Sequence, residues 1–365
     1  MKTGIDGGAL SITDDRLKMG VYRVAHNLVK ELPLIDVKSN YRVYRFGRGE
    51  KGTQLSSRSN IKFVRLPRYG FQKIWQPFEL ISNPVDVYLG ISQSLPITLY
   101  DVKKIGFIYD VGFLDHPEYY RKSHFDLTAQ TANVVRRSDH MITISQASAN
   151  NILKKYHIPK EKLTVAYLGV EKQFMSAGPK YRRAHPYFLF VGAFKPGKNV
   201  PMMLRSFACF LENTKGPCDF LLAGSDYWLD PEIPATINAL RLRDRVQFVG
   251  FLDDETLATY YRGAAALVTV SLIEGFGLPA VEAMACGTPV IASTIGSFPE
   301  VVGEAGILID PHDEESLAKA LRRVVNDATF RTKLINGGKR RVKQFTWKNF
   351  ARIVYETSRQ SVGNV

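Results

Sequence analysis

The sequence predicts an α/β protein made of two Rossmann-like, doubly wound parallel-sheet domains facing one interdomain cleft. Three observations carry this expectation. Short apolar runs alternate with helix-period segments through both halves of the chain, the pattern of parallel strands covered on both faces. At 365 residues with 45% apolar content, the chain is long for one domain and natural for two. A segment rich in Gly, Pro and charge but without apolar period, residues 175–185, separates the halves and reads as a linker. The expected domains are therefore 1–174 and 186–345, with a final helix at 347–360 crossing back onto the first.

In the first half, strands are expected at 2–6, 41–46, 61–66, 85–91, 104–109, 140–145 and 163–168. Val21, Val24, Ala25, Leu28, Val29 and Leu32 recur near every 3.6 residues and mark a helix, and Ser145 or Ser148 suits the cap of another running to Tyr156. In the second half, strands are expected at 187–191, 220–223, 246–250, 265–270, 289–292 and 306–309. Helices are expected at 200–211, 254–261, 279–285 and 315–325. In open sheets of this kind ligands bind outside the strand C-termini.

Composition narrows the class. Cys209, Cys218 and Cys286 are too few and too scattered for a disulfide framework or a structural zinc site, and fit a reducing cytosol. The opening MKTGIDGGALSITDD lacks the apolar run of a signal peptide, and nothing approaches the ~20 apolar residues of a spanning helix. A cytoplasmic location, peripheral on a membrane, is the expectation. The net charge is +14, and from Arg16 to Lys73 fourteen Lys or Arg face only Glu31, Asp36 and Glu50. Such a field suits phosphates or anionic head groups, or serves solubility alone. Nucleic acid is not expected, because no reader motif accompanies the charge. Nor is a nicotinamide oxidoreductase, because no G-x-G-x-x-G follows either opening strand.

The chemistry concentrates in SLIEGFGLPAVEAMACGTP, residues 271–289. A strand runs into a Gly-rich turn and a helix whose first turn holds Pro279. Gly275 and Gly277 permit close backbone approach, Phe276 and Leu278 lie between and after them, and the helix N-terminus offers free N–H groups to a phosphate. Glu274 at the strand end and Glu282 one turn into the helix accept hydrogen bonds only, so they suit sugar and ribose hydroxyls; the alternative is a surface helix-capping pair. Their repulsion of a diphosphate calls for a cation. Lys198, in VGAFKPGKN at 191–199, is the candidate, with Gly192 and Lys195 on the same turn.

The string EGFGLPAVEAMACGTPVIAS resembles the E-x7-E signature of retaining nucleotide-sugar glycosyltransferases of the GT-B fold, family 4. Gly296, Pro299, Glu300, Gly303, Ala305, Gly306, Asp310 and Pro311 are similar to the run that follows it there, and residues 191–199 are similar to the family's G-x-x-x-P-R-K-N turn. MGVYR at 19–23 resembles its G-I-x-R-Y loop, YDVGFLDHPE at 109–118 its H-D…P-E segment, and SDHMITIS at 138–145 its A-D-x-V-I-T-V-S strand. The resemblance implies transfer of a hexose, mannose favoured, from a GDP- or UDP-sugar to a glycan or lipid-linked acceptor in cell-surface polysaccharide or glycolipid assembly, with no metal or other cofactor and an anionic membrane surface nearby. It implies that Lys198 stabilises the leaving diphosphate, that Gly20 approaches it, and that Glu274 and Glu282 hold sugar and ribose. Gly197 and Ala193 stand where relatives carry Arg, and Tyr109 where they carry His. Asp110 remains as a catalytic-side polar contact or, equally, a cap of the next segment.

Trp75 lies in YGFQKIWQPFEL, residues 69–80: with Phe78 it reads as core packing, or as an apolar, basic rim beside Tyr109 on the acceptor side. Two other activities suit the same sequence: a non-hydrolysing sugar-nucleotide epimerase, and a non-catalytic nucleotide-sugar-binding partner subunit.

Overall fold

The computed structural model describes residues 1–18, 20–47, 59–98, 100–120, 123–214, 216–225 and 229–363. Met19 and residues 48–58 of the basic stretch lie outside this set. The chain forms two compact units, Met1–Gly169 with Thr346–Val365, and Val170–Phe345.

The first unit carries seven strands: β1 (Lys2–Asp6), β2 (Asn40–Arg45), β3 (Ile61–Arg65), β4 (Val87–Gly90), β5 (Lys103–Phe107), β6 (His140–Thr143) and β7 (Leu163–Val165). All pair in parallel in the order β3-β2-β1-β4-β5-β6-β7. Its helices include α1 (Gly20–Ile35), α2 (Gln76–Ser82), α3 (Gly112–Asp115), α4 (His124–Arg137) and α5 (Gln146–Tyr156). Helix α1 buries Val24, Ala25, Leu28, Val29 and Leu32, the face its periodicity marks. Ser145 caps α5, accepting from the Ser148 N–H at 3.0 Å.

The second unit carries β8 (Tyr187–Val191), β9 (Asp219–Ala223), β10 (Val246–Gly250), β11 (Ala266–Thr269), β12 (Val290–Ser293) and β13 (Ile307–Ile309), again all parallel, in the order β10-β9-β8-β11-β12-β13. Between and after them run α6 (Val200–Glu212), α7 (Glu232–Ala239), α8 (Asp254–Gly263), α9 (Leu278–Ala285), α10 (Phe298–Val301), α11 (Glu314–Asn326) and α12 (Ala328–Arg341). Edge-to-face Phe188, Phe207, Phe210 and Phe220 anchor its core under α6. The last helix, α13 (Trp347–Val362), belongs to the first unit. Thr346 caps it, and Trp347, Phe350, Ala351 and Val354 form its buried face. A Cβ on Gly169 would stand 2.1 Å from the Trp347 nitrogen, so no larger residue fits there. This is the GT-B fold.

Residues 175–185 are packed into the second unit, unlike the expected linker. Tyr181 stacks on Tyr260 with ring centroids 4.0 Å apart, and its N–H donates to the Thr259 carbonyl at 2.9 Å. Arg262 donates to the carbonyls of Pro179 and Met175 at 2.7 and 3.1 Å. Aromatic stacking and main-chain bonds hold a segment that has no apolar period. No helix among the described residues is long and apolar enough to cross a membrane.

Candidate functional site

In each sheet the strand order reverses once, between β1 and β4 in the first and between β8 and β11 in the second. At such a switch point the loops after neighbouring strands diverge, opening a crevice at their C-terminal ends. In the second unit, the two loops flanking the switch are 192–199, after β8, and 270–277, after β11. The sequence places Lys198 on one and Glu274 on the other.

The loops are tied together before any ligand arrives. The Leu272 N–H donates to the Gly197 carbonyl at 2.9 Å. Asn199, in the left-handed region at φ 58°, donates through Nδ2 to the carbonyls of Val270 (3.1 Å) and Pro311 (2.8 Å). Across this frame Lys198 Nζ meets Glu274 Oε2 at 2.7 Å, both side chains largely shielded. The Glu274 backbone is held from behind by Gly296, at φ 66°: a Cβ there would lie 2.5 Å from the Glu274 carbonyl oxygen. The Ser297 N–H donates to the same oxygen at 3.2 Å. Helix α9 then opens with Gly277, in the left-handed region at φ 87°, and Pro279 in its first turn. The N-terminal N–H groups of an eight-residue helix and a lysine thus converge on one loop pair, an arrangement suited to a phosphate.

The remaining expected residues of this unit divide. Phe276 turns inward and meets the Phe345 ring edge-on at 5.6 Å, so what it offers a ligand is main chain. The Gly192 N–H is used on the Ala223 carbonyl at 3.0 Å, and the Gly192 carbonyl lies 1.9 Å from where a Cβ of Gly224 would stand; this glycine serves strand packing. Lys195 is half-buried at the start of the Lys198 turn, Gly275 precedes Phe276, and Leu278 is half-buried at the head of α9. Glu282 is 3% exposed and its Oε2 accepts from the Tyr261 hydroxyl at 2.9 Å. It is a buried carboxylate fixed from α8, not a surface cap. Removing a hydrogen bond to a buried charged group costs about 1.5–3 kcal/mol. Tyr261→Phe is therefore expected to lower unfolding stability by that order in urea titrations, with the folded circular dichroism spectrum retained; an unchanged midpoint would show the bond to be idle.

In the first unit, the switch point is organised by Asp6, a residue the sequence does not single out. Its carboxylate is fully buried at the end of β1. It accepts from the Gly8 N–H at 2.9 Å and from the Ser92 N–H, beyond β4, at 3.3 Å. Burial pushes its carboxyl above the usual range, against the pull of those bonds. Tyr109 ties a third strand end, its hydroxyl donating to the Ile91 carbonyl at 2.8 Å, and burial pushes its phenol well up. Asp110 accepts from the Gly112 N–H at 3.0 Å, an Asx turn leading into α3. Gly20 begins α1 with open space where a Cβ would stand. Trp75 and Phe78 are not core: they are 41% and 64% exposed, because Phe71 and Leu80 take the inward positions of this segment. Among the described residues, no three His, Cys, Asp or Glu side chains cluster as a metal site would require.

Residues 172–341, nearly the whole second unit, match the family model described as glycosyl transferases group 1. The O-antigen chain mannosyltransferase B of Escherichia coli is 28% identical over 273 residues, 72% of this chain and 71% of the relative. The O-antigen chain mannosyltransferase RfbU of Salmonella typhimurium is 31% identical over 241 residues, 65% of this chain and 62% of that protein. Among solved structures, sucrose-phosphate synthase from Thermosynechococcus elongatus superposes with a TM-score of 0.76 at 21% identity, covering 98% of both chains. The glycosyltransferase WaaG superposes with a TM-score of 0.75 at 15% identity over the whole of both chains. At that identity these two speak for the fold alone. Sequence, fold and loop geometry agree: the chain is a glycosyltransferase, and its residues 172–341 match the glycosyl transferases group 1 family.

Proposed function

We propose that this glycosyltransferase moves a mannosyl residue from a GDP- or UDP-sugar to a glycan or lipid-linked acceptor in cell-surface polysaccharide assembly, with retention at the anomeric carbon and without a metal ion. The reading rests on the Lys198–Glu274 pair at 2.7 Å, set beside the N-terminus of α9. Mannose and polysaccharide assembly come from the two O-antigen mannosyltransferases among the relatives.

The chemistry asks for little beyond charge and position. As the bond from the anomeric carbon to the diphosphate oxygen breaks, negative charge grows on the diphosphate and positive charge on the sugar. Lys198 and the α9 N–H groups face the first, doing by fixed charge what a bound cation does elsewhere. Glu274 and its acceptor oxygens face the second. The incoming hydroxyl attacks from the side the diphosphate leaves, giving its proton to a leaving-group oxygen, so positioning replaces a dedicated base. In the ligand-free protein Lys198 and Glu274 neutralise one another. The arriving diphosphate takes over Lys198 and releases Glu274 for the sugar hydroxyls, while Glu282, oriented by Tyr261, serves the ribose.

The test is a thermal-shift panel of GDP- and UDP-sugars in EDTA, followed by NMR of the product linkage. Stabilisation by one nucleotide class and an α-linked mannoside from an α-linked donor are expected. An epimerised free sugar nucleotide made without acceptor, or binding with no turnover, would replace this reading with an epimerase or a non-catalytic subunit.

A further inference from the structure

We propose that Arg341, the last residue of α12, is a positioning residue for the transfer: it braces the loop Glu274–Gly277 from two sides, through α10 and through Phe345. The inference rests on the reading, given above, that this loop grips the diphosphate.

The first side runs through α10, a single turn that touches the loop at both of its ends. The Ser297 N–H, just before the turn, donates to the Glu274 carbonyl at 3.2 Å. Phe298, its first residue and fully buried, puts its ring 2.6 Å from where a Cβ of Gly277 would stand. The last carbonyls of a helix have no donor of their own within it. Arg341 supplies one to each: its Nε donates to the Val301 carbonyl at 3.1 Å, and its Nη2 donates to the Glu300 carbonyl. A guanidinium holds its donors in a rigid plane, so two bonds to neighbouring carbonyls set the rotation of α10 as well as its distance.

The second side runs through aromatic rings. The Arg341 guanidinium lies 5.9 Å from the centroid of the Phe345 ring. That ring in turn meets Phe276 edge-on, and both are buried. Phe276 sits in the middle of the loop, so the packing of its ring fixes where the main chain of 275–277 stands. One cation thus reaches Glu274 and Gly277 by one route and Phe276 by another.

The root of this side chain is fixed too. Helix α12 lies close against α9 and against the turn at 303–305: a Cβ on Gly338 would stand 3.1 Å from Met284 Cγ, and one on Gly337 would stand 3.3 Å from Ala305 Cα. Glycines that weaken α12 as a helix let its main chain approach that closely. Lys339 and Arg340, the preceding residues of the same basic run, are exposed instead.

The experiment is calorimetry with GDP and with UDP, joined to hydrogen–deuterium exchange of the ligand-free proteins. Arg341→Met keeps the apolar stem and loses both bonds. It should weaken binding of the nucleoside diphosphate by about tenfold and speed exchange in peptides covering 274–278 and 297–302. Arg341→Lys, with the charge but not the planar donors, should bind only about threefold more weakly than the wild type. Arg340→Met should bind as the wild type does. A lower melting temperature for Arg341→Met with wild-type affinity would make Arg341 a residue of stability alone and overturn the proposal. So would weaker binding with the exchange of those two stretches unchanged. If Arg341→Met does not fold, Arg341→Lys decides, and wild-type affinity and exchange in that variant would overturn it. A wild type that binds neither GDP nor UDP would instead sink the reading of the loop, and the role of Arg341 with it.

Discussion

Lys198→Ala should reduce the transfer rate by about 10²–10³-fold, the loss measured when a preorganised stabiliser of transition-state charge is removed. The size follows from position. Lys198 is pinned on a loop bonded to its neighbour through Leu272 and Asn199, so its contact with the leaving diphosphate asks only that its side chain leave Glu274. Lys198→Arg should restore only part of the rate, because a planar fork does not replace a point charge in a cradle of this shape. The ion pair adds a second, opposite expectation for its partner. Glu274→Gln cuts transfer, since the charge facing the sugar is lost, yet it frees Lys198 and should tighten binding of the bare nucleoside diphosphate. Calorimetry on both single variants and the double variant separates causes. If the gain from Glu274→Gln persists when Lys198 is already Ala, general repulsion explains it and the exchange of partners does not.

Gly296→Ala should cost transfer on the order of 10²-fold while leaving a folded protein. The residue touches no substrate in the proposed reaction. Its Cβ would stand 2.5 Å from the Glu274 carbonyl oxygen and 3.2 Å from the Glu274 nitrogen, both backbone atoms, at a φ of 66° that already strains a side chain. The loop that carries Glu274 must shift, and displacement by about an ångström from productive geometry is worth that much rate. Gly250→Ala is the matched comparison: its φ of 75° is as left-handed, but nothing stands within 4 Å of its Cβ. A Gly296→Ala enzyme as fast as wild type would mean that Glu274 is not positioned from behind.

Much of this was legible in the residues, for a physical reason. Parallel strands buried on both faces must be short apolar runs, as β8 is, and β1, β8 and β10 coincide with their expected ranges to the residue. Helices were less plain. Prolines 231 and 234 obscure α7, and Gly337 and Gly338 with a polar surround obscure α12. In the site, the string around Glu274 and Glu282 is local, so the sequence displays it; Lys198 enters there only as a cation for the diphosphate, and its pairing with Glu274 across 76 positions is supplied by the structure. Asp6 escapes because nothing distinguishes it from a turn aspartate until β4 is placed beside β1, 86 positions away in its bond to Ser92. Trp75 and Phe78 mislead for the reverse reason. Aromatics at helical spacing suggest a core, yet Phe71 and Leu80 already fill it.

The central claim is that the loops after β8 and β11, with the start of α9, grip a diphosphate. Hydrogen–deuterium exchange with and without the nucleoside diphosphate, in EDTA, tests it most directly. Slowed exchange confined within the second unit to peptides covering 195–199 and 274–281 is the expected result. Slowing elsewhere in that unit with these two stretches unchanged would contradict it.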